Sequence, residues 1–347
     1  MSEPCRSSLP GPGDAASPPF RVAYLRPAEA AQLAPERLLA CVHFGPTAVP
    51  GVGPEARAAR PWEIVVPLPV LGDGDVVEVW RSARPVERMM VGDVQLACGD
   101  DVAFASLCVD DSCGGLGLET ATSAAYRALG AAASASGFPI LARLWNFFPA
   151  IHRMESGLER YRAFCRGRHL AFTEHFAAVE TNLPAASAIG SRNSGLQVFG
   201  LLLRQQGRQI ENPRQLSAFH YPPVYGPRSP SFSRSIFKDW GAAGAHLYVS
   251  GTASIVGHSS RHHRDYTRQL EETLVNLQAL LANADARTGR AFRFAVLRVY
   301  SRVVAPLELI RARIAAKFGP ETPVLVLQGD ICRTELLLEI EGLAISD

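Results

Sequence analysis

No stretch of this sequence reaches the ~20 apolar residues of a bilayer-spanning helix, because Gly, Pro or a charged residue interrupts each one. Charge of one sign is also missing: 35 Lys and Arg stand against 33 Asp and Glu, a formal charge of +2. That balance gives no footprint for nucleic acid or an anionic membrane, so any bound anion has to be met by locally placed arginines. The seven cysteines (Cys5, Cys41, Cys98, Cys108, Cys113, Cys165 and Cys332) are odd in number, scattered and never in a CxxC pair. Neither a disulfide framework nor a zinc ribbon is expected, and a reducing cytoplasm is the expected compartment. Residues 1–19 are rich in Pro, Gly, Ala and Ser but lack the apolar core of a secretory signal, and read as a flexible tail. Gly51-Val52-Gly53 and Gly114-Gly115-Leu116-Gly117 fall short of the full GxGxxG spacing, so no cofactor loop is expected. His258, His262 and His263 cluster without a carboxylate or cysteine at ligand spacing, so no metal site is expected there.

What is present is a chain of 347 residues, 47% hydrophobic and 20% charged, long enough for about two domains around a large core. Strand patterns at 20–25, 62–70, 76–80 and 102–109 are followed by an Ala-rich helix at 119–136 that Gly137 stops. A strand at 139–147 and an Arg-rich helix at 158–172 come next. The stretch from Thr181 to Gly195, full of Ala, Ser, Asn and Gly, is the clearest break in composition. It puts an N-terminal domain over 20–185 and a C-terminal one over 186–347. After it come a strand at 196–203, a Pro-rich excursion at 213–230 and a strand at 246–255. Leu270, Leu274, Leu277 and Leu281 mark a helix within 265–283, and strands close the chain. Strands with helices at intervals in both halves imply an α+β architecture.

Two segments carry candidate chemistry. Prolines from Tyr221-Pro222-Pro223 to Pro230 preset the backbone, so this long loop can hold His220, Tyr225 and Arg228 in place. A guanidinium fork there suits a carboxylate. Near the end of the chain, Glu335, Leu337, Glu339 and Glu341 alternate with apolar residues on one strand. If that face lines a buried cleft, a glutamate on it can serve as a general acid, with burial raising its pKa and nearby arginines lowering it.

These segments resemble the chorismatase family. The resemblance rests on Tyr221-Pro222-Pro223-Val224-Tyr225-Gly226-Pro227-Arg228, on Leu247-Tyr248-Val249-Ser250-Gly251-Thr252-Ala253-Ser254-Ile255-Val256-Gly257-His258, and on the ending from Asp330 to Glu341. Arg143-Leu144-Trp145-Asn146 and Glu159-Arg160-Tyr161-Arg162 look like the family's first half. The resemblance implies cleavage of chorismate to pyruvate and a hydroxybenzoate or dihydroxycyclohexadiene carboxylate, without cofactor or metal. It implies an α+β chain of two YjgF/RidA-like (chorismate mutase-like) units with helices on one sheet face, the site in the C-terminal unit or at the join, and a monomer or trimer. By the same resemblance Glu339 is the catalytic acid, and for a dianionic substrate Arg228 with Arg160 or Arg168 is expected to bind the two carboxylates. Gly257 and Cys332 match the type that forms 3-hydroxybenzoate, together with 4-hydroxybenzoate, and His220 and Tyr225 are further donors. Tyr161 reads as a half-buried helix residue. The competing expectation is a RidA-like imine deaminase or small-carboxylate-binding protein.

Overall fold

The computed structural model describes residues 17–45, 60, 62–72, 74–111, 117–175, 178–192, 194–304 and 306–347. Most of the tail expected over 1–19 lies outside them, as do Gly51, Gly53, Gly114 and Gly115.

Among the described residues, alternating and continuous apolar runs fold into three large sheets, beside two short two-stranded hairpins at 154–159 and 255–260. β1 (Phe20–Leu25), β2 (Leu38–Phe44), β3 (Glu63–Val66) and β4 (Val77–Ser82) form the first, in the order β1-β4-β2-β3. The second takes β5 (Glu87–Val91), β6 (Val94–Cys98), β7 (Val102–Val109), β8 (Ile140–Pro149), β9 (Ala185–Ser191) and β10 (Leu196–Leu203) in the order β5-β6-β7-β10-β8-β9. Helices α1 (Gly117–Ser136) and α2 (Arg160–His175) connect its strands. The third takes β11 (Arg208–Gln209), β12 (Ser235–Asp239), β13 (Ala245–Thr252), β14 (Arg293–Ser301), β15 (Val324–Gln328) and β16 (Leu338–Ser346), with α3 (Tyr266–Thr288) and α4 (Leu307–Phe318).

The second and third sheets have one connectivity. Each runs strand, strand, strand, helix, strand, helix, strand, strand, and in each the last strand inserts between the third and the fourth. The parallel pair is β8 with β9 in one and β14 with β15 in the other, each bridged by a helix as parallel pairing requires. Two units of one topology thus stand in one α+β chain. The first sheet repeats the same order without the first two strands, and its parallel pair is β2 with β3.

Sheet membership changes between Leu203 and Arg208, not at 185 as composition suggested. The small residues of β9 are not a linker. They let a buried strand approach β13 of the next unit, where the Ala186 N–H donates to Ser250 Oγ at 2.9 Å.

α3 is bounded by local chemistry. The Asp265 carboxylate accepts from the Arg268 N–H at 3.0 Å, and Gly289 closes the helix with φ of 71°. Its buried leucines cover one face of the third sheet, as α1 and α2 cover the second. The opposite faces meet in a shared core of Trp80, Phe104, Trp145, Phe199 and Tyr300. A strand such as β10, buried along all of Leu196–Leu203, reads as a continuous apolar run because both its faces are covered.

Candidate active site

Glu339 and Glu341 share one face of β16, while Leu338 and Ile340 point into the core beneath α3. Their surroundings separate them. Glu341 accepts hydrogen bonds from Trp145 Nε1 at 2.8 Å, Arg298 Nη1 at 2.8 Å and Tyr300 OH at 2.9 Å, and also from Arg143 and Ser187. Burial opposes its charge, but Arg143 and Arg298 outweigh it and hold the carboxyl below its usual range. Glu339 gains no such set of donors. Burial first, and the Glu341 charge second, push its pKa up to about 8, with Arg143 and Arg234 opposing. At neutral pH Glu339 carries its proton.

Gly251 makes room for that carboxyl. The β13–β16 ladder is interrupted between Val249 and Thr252, and a Cβ on Gly251 would overlap Glu339 Oε1. The Gly251 N–H donates to Ser187 Oγ at 3.0 Å, which ties β13 to β9 of the neighbouring unit.

Glu339 faces a cleft of about 360 Å³ between the second and third units, a volume within the range of small-ligand sites. Tyr161, Cys165 and Arg168 of α2 form one wall, and the Pro-rich segment forms another with Tyr221, Tyr225 and Arg228. The segment before β16 contributes Cys332 and Arg333. Cys332 is a thiol there: burial, and then the Glu339 charge, push it up to about 12. It can pack or share a weak hydrogen bond but is no thiolate nucleophile at neutral pH.

Three arginines on this cleft, Arg168 and Arg234 buried and Arg333 half-buried, each keep a donor unspent. Arg234 gives Nη2 to Tyr221 OH at 2.7 Å and to the Leu216 carbonyl at 2.9 Å, and Arg333 gives Nη1 to the His258 carbonyl at 2.9 Å. Yet Arg168 Nε, Arg234 Nε and Arg333 Nη2 are buried without a partner among the described residues. Buried donors that fold without a partner are costly, and an anionic ligand satisfies them.

The cleft brings together Glu339, Cys332, Arg168, Arg228 and Tyr225. Three other expected residues lie elsewhere. Arg160 is buried in an ion pair with Asp111 and gives Nη1 to Glu155 Oε1 at 2.6 Å and Nε to the Pro149 carbonyl at 3.0 Å, so its fork is occupied. His220 points to the surface and pairs with Glu180 at 2.7 Å. Gly257, with φ of 60°, forms a turn behind the cleft, and Gly251 is the glycine that meets the acid. Sequence reasoning gave no place to Arg333 and set Tyr161 aside as a helix residue. The signal for Arg333 was its position next to Cys332, and for Tyr161 its place one turn before Cys165 on the same helix.

A buried carboxylic acid with a raised pKa, on a cleft that arginines also line, is an arrangement suited to acid chemistry on a small anionic ligand. The profile of the chorismatase FkbO/Hyg5-like family, N-terminal part, matches residues 78–202, which covers the second unit and ends beside Leu203. A 3-hydroxybenzoate synthase of Streptomyces hygroscopicus is 33% identical over 316 residues, 85% of this chain and 93% of that protein. A chorismatase of the same organism is 36% identical over 279 residues, 78% of this chain and 80% of the relative. A crystal structure of a chorismatase superposes with a TM-score of 0.81 at 31% identity, covering 93% of this chain and 98% of that one. This chain belongs to the chorismatase family.

Proposed function

We propose that this protein cleaves chorismate to pyruvate and 3-hydroxybenzoate, with 4-hydroxybenzoate as a second product. The observation that carries the reading is Glu339, buried on a cleft where three arginines keep an unspent donor, with burial pushing its pKa up to about 8. The two carboxylates of chorismate engage Arg168, Arg234 and Arg333, and Arg228 stands exposed at the lip to receive the dianion. Glu339 gives its proton to the enol methylene carbon, and the resulting oxocarbenium ion releases pyruvate as the ether bond to the ring breaks. The neighbouring ring hydroxyl attacks the carbon that loses the ether oxygen, and loss of a ring proton gives the aromatic acid. Pyruvate and hydroxybenzoate together contain every atom of chorismate, so no water is consumed. Cys332, as a neutral thiol, lies against the ring and favours the 3-hydroxy product.

The small-carboxylate or imine-deaminase reading has no observation in its favour that chorismate cleavage does not also use. The three related sheets packed around one core support a single chain as the working unit, operating in a reducing cytoplasm with Cys41, Cys98, Cys108, Cys165 and Cys332 free.

Purified protein incubated with chorismate should release pyruvate and 3-hydroxybenzoate in equal or greater-than-equal ratio, the excess pyruvate matching 4-hydroxybenzoate. Glu339→Gln should lower that release by roughly 10²–10⁴-fold with the fold intact. Undiminished turnover in that variant would remove Glu339 from the acid role.

A further inference from the structure

The ring hydroxyl that attacks in this reaction has to lose its proton, and nothing described so far takes it. Glu339 is spent at the enol methylene, and the Cys332 thiol, pushed up to about 12, already holds a proton. Tyr225 lines the same cleft from the turn Pro223–Tyr225. Its hydroxyl stands 3.2 Å from Nδ1 of His258, whose ring lies edge-on to it at 5.8 Å between centroids. His258 does not itself line the cleft.

The pair is held from both sides. Arg333 lies over the Tyr225 ring at 3.8 Å. Its Nη1 donates to the His258 carbonyl at 2.9 Å and to Ser260 Oγ at 3.0 Å. Gly257, whose φ of 60° an L-residue rarely adopts, turns the chain so that His258 comes round behind Tyr225. A phenol placed between a ligand and an imidazole can accept one proton while passing on its own, so no phenolate has to form.

We propose that Tyr225 and His258 form a proton relay, in which Tyr225 takes the proton of the attacking ring hydroxyl and gives its own to His258 Nδ1. The proposal rests on the chorismate-cleavage reading. As the hydroxyl oxygen bonds to the ring carbon, the bond from that carbon to the enolpyruvyl oxygen breaks with its electron pair, and pyruvate leaves. The substrate O–H breaks as a Tyr225 O–H forms, and the former Tyr225 O–H breaks as the His258 N–H forms. When the resulting epoxide opens, the proton returns by the same path to the oxygen, and the ring C–H proton lost on aromatisation recharges Glu339. Nothing is oxidised or reduced, and both residues end as they began.

His258→Asn separates this role from a structural one. The Asn side-chain oxygen can accept the Tyr225 hydrogen bond but cannot hold a proton. With chorismate as substrate and pyruvate and both hydroxybenzoates measured, kcat should fall by roughly 10²-fold or more while KM stays within about twofold. Tyr225→Phe should lose kcat to the same extent, and thermal melting of both variants should match the parent. An unchanged kcat and product ratio in His258→Asn would overturn the relay, as would an effect confined to KM. Absence of pyruvate release by the parent protein is a failure of the cleavage reading instead. A normal parent with unaffected variants is a failure of the relay alone.

Discussion

Glu339 and Glu341 are two residues apart on one strand, yet burial dominates the first and arginines dominate the second, so one carries a proton at neutral pH and the other a charge. The consequence for pH is signed. Glu339 is raised in the fold, so the native state binds a proton that the unfolded chain releases, and stability is lost as pH rises from the ordinary glutamate range towards about 8. The melting temperature should fall across that window, and Glu339→Gln should flatten this part of the profile. Activity should fall on the same side, because an acid that has lost its proton cannot give it: kcat/KM against pH should show a basic limb near 8. A profile flat to pH 10 would point to another donor. Gly251→Ala tests the same locus sterically. Its Cβ would overlap Glu339 Oε1, so turnover should collapse while stability, read by urea unfolding, drops by about 1–3 kcal/mol.

Among the elements, β10 and β16 correspond in the second and third units. The sequences Leu196-Gln197-Val198-Phe199-Gly200 and Leu338-Glu339-Ile340-Glu341-Gly342 align on their glycines, and each glycine lies against the backbone of the fourth strand of its sheet, at Arg143 O and Val296 O. Gln197 therefore holds in the second unit the place that Glu339 holds in the third. It gives its amide to the Val65 carbonyl at 3.0 Å, and that junction has an amide where the other has its acid. The segment that carries Cys332 has little regular structure of its own and depends on Arg302. That side chain donates Nη2 to the Ile331 carbonyl at 2.9 Å and the Arg333 carbonyl at 3.1 Å, and also reaches the Thr334 carbonyl. Arg302→Met should release this segment, and kcat should fall by about tenfold with melting little changed, since the lost contacts lie at the edge of the core. The long helix was legible from its leucine spacing. The irregular Cys332 segment was not, because its carbonyls are held by Arg302, the residue just after β14.

At the scale of the molecule, one buried ion cluster joins all three sheets. Arg298 of β14 pairs with Glu78 of β4 and with Glu341 of β16, and Arg143 of β8 pairs with Glu341 as well. Removing one partner leaves buried charge uncompensated, at a cost of about 3–5 kcal/mol. Arg298→Met should lower the unfolding free energy measured in urea by that amount; a loss under about 1 kcal/mol would mean that water enters and screens the cluster. Because that cluster also sets the Glu341 charge beside Glu339, the packing of three units and the protonation of the acid are linked. The near-neutral total of +2 fits this arrangement. Much of the positive charge that matters is buried and arranged around one cleft, where net charge says nothing about it.

The long helices, strands such as those at 20–25, 102–109 and 196–203, the shared face of Glu339 and Glu341 and the family resemblance follow from local pattern, since alternation and helical spacing depend only on neighbours along the chain, whereas β5, β6, β9 and β12 did not stand out from it. The tertiary structure decided which arginines keep a free donor, that Arg160 spends its fork on Asp111, that Gly251 lies against the acid while Gly257 does not line the cleft, and that sheet membership changes after Leu203. It also decided the direction in which Glu339 titrates. Desolvation and charge proximity are sums over atoms far apart in sequence, and small residues such as those of β9 look alike in a linker and in a tightly packed strand until the partner strand is in place.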